Sequence, residues 1–373
     1  MKWVFWMSAL VIAYTYFGYV GWLWLRKRLR PQPVKAGSYI PLISIVMVVR
    51  NEAPVLRRKL QNLLALDYPR DQFDLIVVSD GSEDGSNEIL TEYAKDPRVR
   101  TMISSAIRGK AAGLNEAVAI ARGELVMFTD ARQCIEPRAL RLLADNFADP
   151  EVGCVSGELM LGDPYSGETV KGMGLYWWME KQIRELEAAS GSVVGATGAI
   201  YAVRRKFLVR VPEEIILDDV FIPMNVVRQG GRVVFELKAR AWDTPDLGRE
   251  REFARKVRTL SGSYQLLQLA PWLISRANPI RFEFVSHKLL RLAAPFALAL
   301  ALITSFLLPQ PVYQFAFWLQ VAFYALSVLA MMRLTRGPVT RVADAALTFV
   351  TLNTAAVVAF ANFVTGRKAV WIR

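Results

Sequence analysis

Apolar runs that close on polar turns recur through the first half of the chain. Residues 42–49 form one such run and end on Arg50-Asn51-Glu52. Residues 75–78 form a second, ending on Ser79-Asp80-Gly81, and residues 125–128 a third, ending on Thr129-Asp130-Ala131-Arg132. Runs this short, bounded by turn residues, read as strands buried on both faces, as in a parallel sheet. Between the first two, residues 54–66 put Leu56, Leu60, Leu63 and Leu64 on one helical face. The polar turn Gly81-Ser82-Glu83-Asp84-Gly85-Ser86 starts a helix near Asn87, and Gly109-Lys110-Ala111-Ala112-Gly113-Leu114-Asn115 opens another before the third strand. Strand and helix in alternation predict a doubly wound α/β sheet. Ligands of such sheets bind at the carboxyl ends of the strands. Two strands ending in Asp80 and Asp130 therefore mark a candidate site for a cation and a nucleotide.

Past Pro150 the pattern predicts short strands over 153–161 and a helix over about 172–188. That helix carries Tyr176-Trp177-Trp178, an aromatic cluster suited to stacking on a sugar ring, or to packing and bilayer contact. Gly195-Ala196-Thr197-Gly198-Ala199 is a small-residue turn entering a strand, where Gly198 lets a substrate approach the backbone closely. Leu217-Asp218-Asp219-Val220 sets two carboxylates side by side in apolar surroundings. Their repulsion raises the pKa of one, which suits a general base; a helix-capping pair is the competing reading. Phe253-Ala254-Arg255-Lys256-Val257-Arg258 is a basic cluster that suits phosphate or lipid head groups.

A second pattern lies at the two ends of the chain. Residues 3–25 carry no charge, with Trp3 and Trp6 at one end and Trp22 and Trp24 at the other, which predicts a membrane span. Arg26, Lys27, Arg28 and Arg30 follow at once and put that end on the cytoplasmic side. Residues 292–332 are also uncharged, broken at Pro309-Gln310-Pro311, and read as a helical hairpin. Residues 345–366 form a further span closed by Arg367 and Lys368. Four crossings leave those cations and Arg373 outside, against the positive-inside rule that Arg333, Arg336 and Arg341 obey. Three to four crossings are expected.

The formal charge is +12 over 373 residues. Basic residues flanking spans account for the excess, and no nucleic-acid module accompanies it. Cys134 and Cys154 fit no metal spacing or disulfide framework and read as reduced thiols. The single histidine, His287, makes histidine-based catalysis improbable.

Taken in order, Asn51-Glu52, Asp80-Gly81-Ser82, Lys110 with Leu114-Asn115, Asp130-Ala131, Gly198, Asp218-Asp219 and Arg255-Lys256-Val257-Arg258 resemble the motifs of the membrane-bound inverting glycosyltransferases of family 2. The resemblance implies a glycosyltransferase-A fold, Rossmann-like with a mostly parallel sheet, and a nucleotide-diphosphate sugar, most often UDP-linked. It assigns Glu52 and Asp80 to the nucleoside, and Lys110, Arg255 and Arg258 to the donor's diphosphate side. Asp130 matches the first acid of the Asp-x-Asp motif, which holds Mg2+ or Mn2+; Arg132 stands where the second acid belongs. Asp219 matches the catalytic base, with Asp218 beside it, and Gly198, Trp177 and Trp178 face the acceptor. Arg258 matches the arginine of Gln-x-x-Arg-Trp, but Arg255 replaces the glutamine and Thr259 the tryptophan, which argues against a processive polymerase.

The implied organisation is an N-terminal anchor over 1–30, a catalytic domain over 40–245, an amphipathic interface segment over 246–288, about three spans over 289–366 and a basic tail over 367–373. The expected protein is a multi-pass transferase of the cell's inner membrane with a cytoplasmic catalytic domain. It builds surface polysaccharide or exopolysaccharide on a glycan or lipid-linked acceptor, a polyprenyl-phosphate being the alternative. A transporter with a cytosolic nucleotide-binding domain is the rival from another class.

Overall fold

The computed structural model describes residues 1–162, 175–244 and 248–367; the expected basic tail beyond Arg367 lies outside them. Among the described residues, eight strands form one sheet in the order β3-β2-β1-β4-β7-β6-β8-β5. They are β1 (Ile43–Val49), β2 (Phe73–Asp80), β3 (Val99–Ser104), β4 (Leu125–Phe128), β5 (Cys134–Ile135), β6 (Val152–Leu161), β7 (Tyr201–Arg204) and β8 (Arg232–Asp243). The block β3-β2-β1-β4 is parallel throughout. Beyond β4 the sheet is mixed: β7 runs antiparallel to both β4 and β6, β6 and β8 are parallel, and β5 is antiparallel to β8. The parallel sheet expected from sequence is thus its first half, where helical crossovers set strand direction.

The inner strands β1, β2 and β4 are largely apolar on both faces because both faces are covered, whereas the edge strand β3 is only partly buried. Ile43, Ile45, Met47 and Val49 of β1 pack with Leu56, Leu60 and Leu63 of the Ala53–Leu64 helix and with Leu140 and Leu143. Val46, Ile76 and Val78 face the other way, onto Ala111, Leu114 and Ala117 of the Lys110–Ile120 helix. Gly113 of that helix lies so near β1 that a Cβ would stand 2.9 Å from a Val48 methyl. The second face also holds the Asp218–Arg228 helix through Val220, Ile222 and Met224.

Among the described residues, four helices are long and apolar enough to cross a membrane: Lys2–Leu29, Arg281–Leu307, Pro311–Met331 and Val339–Val364. Two amphipathic helices join them to the sheet domain. The Leu175–Ser190 helix packs Ile183 and Leu186 on Tyr19 and Leu23 of the first span. The Arg249–Leu269 helix lies along the last, with the Tyr264 ring stacked on Phe363 at 5.4 Å. The second apolar helix begins at Arg281, so His287, Lys288 and Arg291 belong to its first turns.

Candidate active site

The carboxyl ends of β1, β2 and β4 converge, as a sheet that reverses its strand order between β1 and β4 requires. Loop order there comes from reciprocal side-chain hydrogen bonds. The Asn51 amide donates to the Ser82 hydroxyl and the Glu52 amide to that of Ser86, while Asn51 Oδ1 accepts from the Glu83 amide at 2.9 Å. Asp80 accepts from the amides of Arg108 at 2.7 Å and Gly109 at 2.9 Å. Gly109 has φ +96°, a value that a side chain resists, and the helix begins at the next residue, Lys110. Asp80 therefore fixes where the Lys110 helix begins, besides lying on the expected nucleoside side.

Lys110 is the hub of the site. Its ammonium stands 3.0 Å from Asp130 Oδ1 and 3.3 Å from Asp218 Oδ1. Burial works against its charge, but Asp130, Asp218 and Asp219 outweigh that and hold its pKa above the ordinary lysine value. Asp218 and Asp219 are the first residues of their helix; its N-cap position is Leu217, so the capping alternative does not hold. Two carboxylates in a first helical turn are favoured by the dipole. Burial and the neighbouring Asp218 push Asp219 up to about 6, while Lys110 and Lys288 pull the other way. Asp219 Oδ2 accepts from the Gly198 amide at 3.2 Å. A Cβ on Gly198 would lie 3.5 Å from both Asp130 Oδ2 and Asp219 Oδ2, so the missing side chain keeps the space between these acids open.

Next to Gly198 a pocket of about 250 Å³ opens, lined by Glu158, Trp177, Trp178, Lys181, Thr197 and Phe235 among others. Trp178 is 59% exposed and Trp177 37%, so both indoles present surface to a ligand. Glu180 and Arg184 also line this pocket. Glu180 at the same time accepts from Arg291 at 2.6 Å and faces His287 at 3.2 Å, both on the Arg281–Leu307 helix. Through Glu180 the pocket wall is thus joined to an apolar span.

Arg132 ion-pairs with Asp243, the last residue of β8, at 3.3 Å, and Gln133 donates to the same carboxylate at 3.1 Å. Lys59, fully enclosed, donates to Thr129 Oγ1 at 2.9 Å and to the Gln133 carbonyl at 2.7 Å. Burial lowers its pKa to about 7. Lys59 and Asp243 together hold the loop from Thr129 to Gln133 that presents Asp130. Neither was visible as a site residue: Lys59 hides on a helix face read as apolar, and β8 mixes charges into its apolar pattern. Glu52 is half-buried, and desolvation raises its pKa against the nearby charge of Arg132. Arg255 is exposed and Arg258 half-buried on the Arg249–Leu269 helix. Gln265 of that helix accepts from the Ile216 amide at 2.9 Å and donates to the Glu214 carbonyl at 2.7 Å, which ties the basic helix to the approach to Asp218.

A resident divalent cation needs several hard oxygen donors aimed at one point. Here Asp130 is engaged by Lys110, its expected partner position is an arginine, and Asp243 is engaged by Arg132 and Gln133. Among the described residues no group of three or more His, Cys, Asp or Glu is arranged to hold a metal ion. The residues present do not fit a preformed carboxylate-held metal centre.

The chain is 28% identical over 190 residues to a beta-monoglucosyldiacylglycerol synthase of Trichormus variabilis, a match covering 48% of this chain and 40% of that protein. It is 33% identical over 116 residues to a poly-beta-1,6-N-acetyl-D-glucosamine synthase of Staphylococcus epidermidis, covering 31% of this chain and 28% of the relative. The chain thus matches less than half the length of these relatives. Over its whole length the fold superposes on the mannosyltransferase PcManGT of Pyrobaculum calidifontis, solved with GDP-Man and Mn2+, with a TM-score of 0.74, 21% identity and coverage of 98% and 99% of the two chains. The sheet domain is of the glycosyltransferase-A type. Residues 44–211, which hold the strand-end acids, Lys110 and Gly198, match the family model described as Glycosyl transferase family 2, and the chain carries a domain of that family.

Proposed function

We propose that this protein transfers a sugar, with inversion, from a nucleoside-diphosphate donor to an acceptor hydroxyl, with Asp219 as the base. The observation that carries the reading is the position of Asp219. Its carboxylate, pushed up to about 6, borders the gap kept open by Gly198, with Lys110 on one side and the tryptophan pocket, through Thr197, on the other. A carboxylate titrating there is ionised at neutral pH yet basic enough to accept the acceptor's hydroxyl proton. In a single displacement the acceptor oxygen bonds to the anomeric carbon as the bond to the diphosphate oxygen breaks. The proton passes to Asp219, and the negative charge left on the diphosphate lies toward Lys110. Asp130 and Asp218 orient that ammonium. Glu52 borders the nucleoside side, and Arg255 and Arg258 belong to the helix tied to the Asp218 turn.

The acceptor side faces the membrane helices, because Glu180 belongs both to the pocket wall and to the cluster around His287 and Arg291. This favours an acceptor carried on lipid over a free soluble glycan. The basic residues after the first span support a cytoplasmic catalytic domain at the cell's inner membrane. The family domain favours the transferase reading over a transporter. Purified protein in detergent, given a panel of UDP- and GDP-sugars with lipid extracts, is expected to release nucleoside diphosphate only with acceptor and with Asp219 intact. Release that survives Asp219→Asn sinks the assignment of the base.

A further inference from the structure

At the end of β4 the side chain two positions after Asp130 is a cation, and its placement is specific. Arg132 reaches across the sheet end to Asp243, while Gln133 holds the other oxygen of the same carboxylate. The Arg132 side chain remains 38% exposed, and its charge is felt by Glu52, which also feels Asp130. Arg132 therefore borders the same cleft as Glu52 and Asp130. Lys110 contacts Asp130 itself at 3.0 Å. The two side chains together carry the formal charge of one divalent ion, one touching the carboxylate that would otherwise hold that ion and the other two positions after it in the chain.

We propose that Lys110 and Arg132 bind the donor's diphosphate directly, Arg132 leaving Asp243 as the nucleotide enters, so that nucleotide binding depends only weakly on a divalent metal. The inference rests on the reading of this chain as a nucleotide-sugar transferase. An arginine fork suits this task because it pairs with phosphate through two parallel N–H donors. Its resting partner is an exchangeable one: a 3.3 Å contact to a carboxylate whose other oxygen is held independently by Gln133, at 3.1 Å. A metal at Asp130 would compete with the charge of Lys110 at that carboxylate and share the cleft with Arg132, at a repulsive cost that a second carboxylate would have removed.

The experiment is calorimetric binding of UDP and of GDP to the full-length protein in detergent, with excess EDTA or with Mn2+. Wild-type Kd values in the two conditions are expected to agree within about threefold. Arg132→Gln, which keeps the loop neutral, is expected to weaken binding in EDTA by about tenfold or more, the worth of a charge-assisted phosphate contact. Arg132→Asp, which supplies the second carboxylate, is expected to make binding require Mn2+ and to bind Mn2+ detectably by electron paramagnetic resonance. Thermal unfolding of each variant separates a folding defect from a binding one. Wild-type binding that collapses in EDTA overturns the proposal, and so does a folded Arg132→Gln protein with unchanged affinity. If neither nucleotide binds under either condition, the transferase reading falls and this inference with it; binding that requires metal removes this inference alone.

Discussion

Asp219 and Lys110 answer one another at the level of single side chains. Their titrations are linked: the acids hold Lys110 charged, while burial and Asp218 raise Asp219 and Lys110 limits that rise. As the base, Asp219 must be ionised, so the transfer rate is expected to rise with pH through about 6 and then level off. The ammonium's positive charge lowers this pKa, so Lys110→Met should move the acidic limb to higher pH, read from kcat/KM profiles. Asp219→Asn should reduce transfer about a hundredfold to ten-thousandfold while nucleotide affinity is kept. The same substitution should raise the melting temperature. A carboxylate whose folded pKa lies above its unfolded value opposes folding once ionised, and this penalty is present at neutral pH and relieved as pH falls through the folded value. Much of this pair was legible in sequence, since strand-end acids and adjacent carboxylates are local patterns. The ion pair itself was not, because Lys110 and Asp218 are far apart in the chain and meet only through the sheet.

At the scale of elements, the loops at the carboxyl ends work as one unit. Asp80 closes β2 and caps the entry to the Lys110 helix by accepting two backbone amides. Asp80→Ala leaves both half-buried amides without this partner and is expected to cost about 1 kcal/mol. It should also raise the KM for donor, since Lys110 loses its fixed starting point; equilibrium unfolding and initial rates check the two effects separately. The alternation of strands and helices was readable because doubly covered strands are uniformly apolar. The reversal beyond β4 was not. β7 has only four residues and β8 carries charges along its length, so neither declares its direction. That half of the sheet supplies Asp243 and the edge of the tryptophan pocket, which is why those residues escaped notice.

Across the whole molecule, a buried polar cluster fastens the sheet domain to the membrane helices. Glu187 accepts from Tyr19 of the first span at 2.7 Å and faces His287 of the Arg281–Leu307 helix at 2.9 Å. Arg26 pairs with Glu283 and donates to the Ser190 hydroxyl at 3.0 Å. Burial works against the charge of Glu180 and Glu187, but His287 and its neighbours outweigh it and depress both pKa values. Depressed carboxylates stabilise the fold above their unfolded pKa, and that contribution is lost as pH falls through the folded values. The melting temperature in detergent is therefore expected to be flat near neutrality and to drop below about pH 4.5. Glu187→Ala leaves Tyr19 and His287 facing an empty site and should cost about 3–5 kcal/mol. Its melting curve should also lose part of the acid-induced drop. A variant as stable as wild type would show that the spans are held by apolar packing alone.

By itself the sequence determined the apolar spans, the alternating strands, and the acids at the ends of β2 and β4, because burial and turn chemistry act on neighbours along the chain. It also showed that Arg132 replaces an expected acid. Only the tertiary structure decided what that replacement does. Arg132 meets Asp243 because β5, which follows it, pairs antiparallel with the end of β8, and His287 meets Glu180 and Glu187 because a span packs on an amphipathic helix. Such encounters join segments about a hundred residues apart. Charge pairing at that range follows from chain topology, which no local pattern of residues encodes.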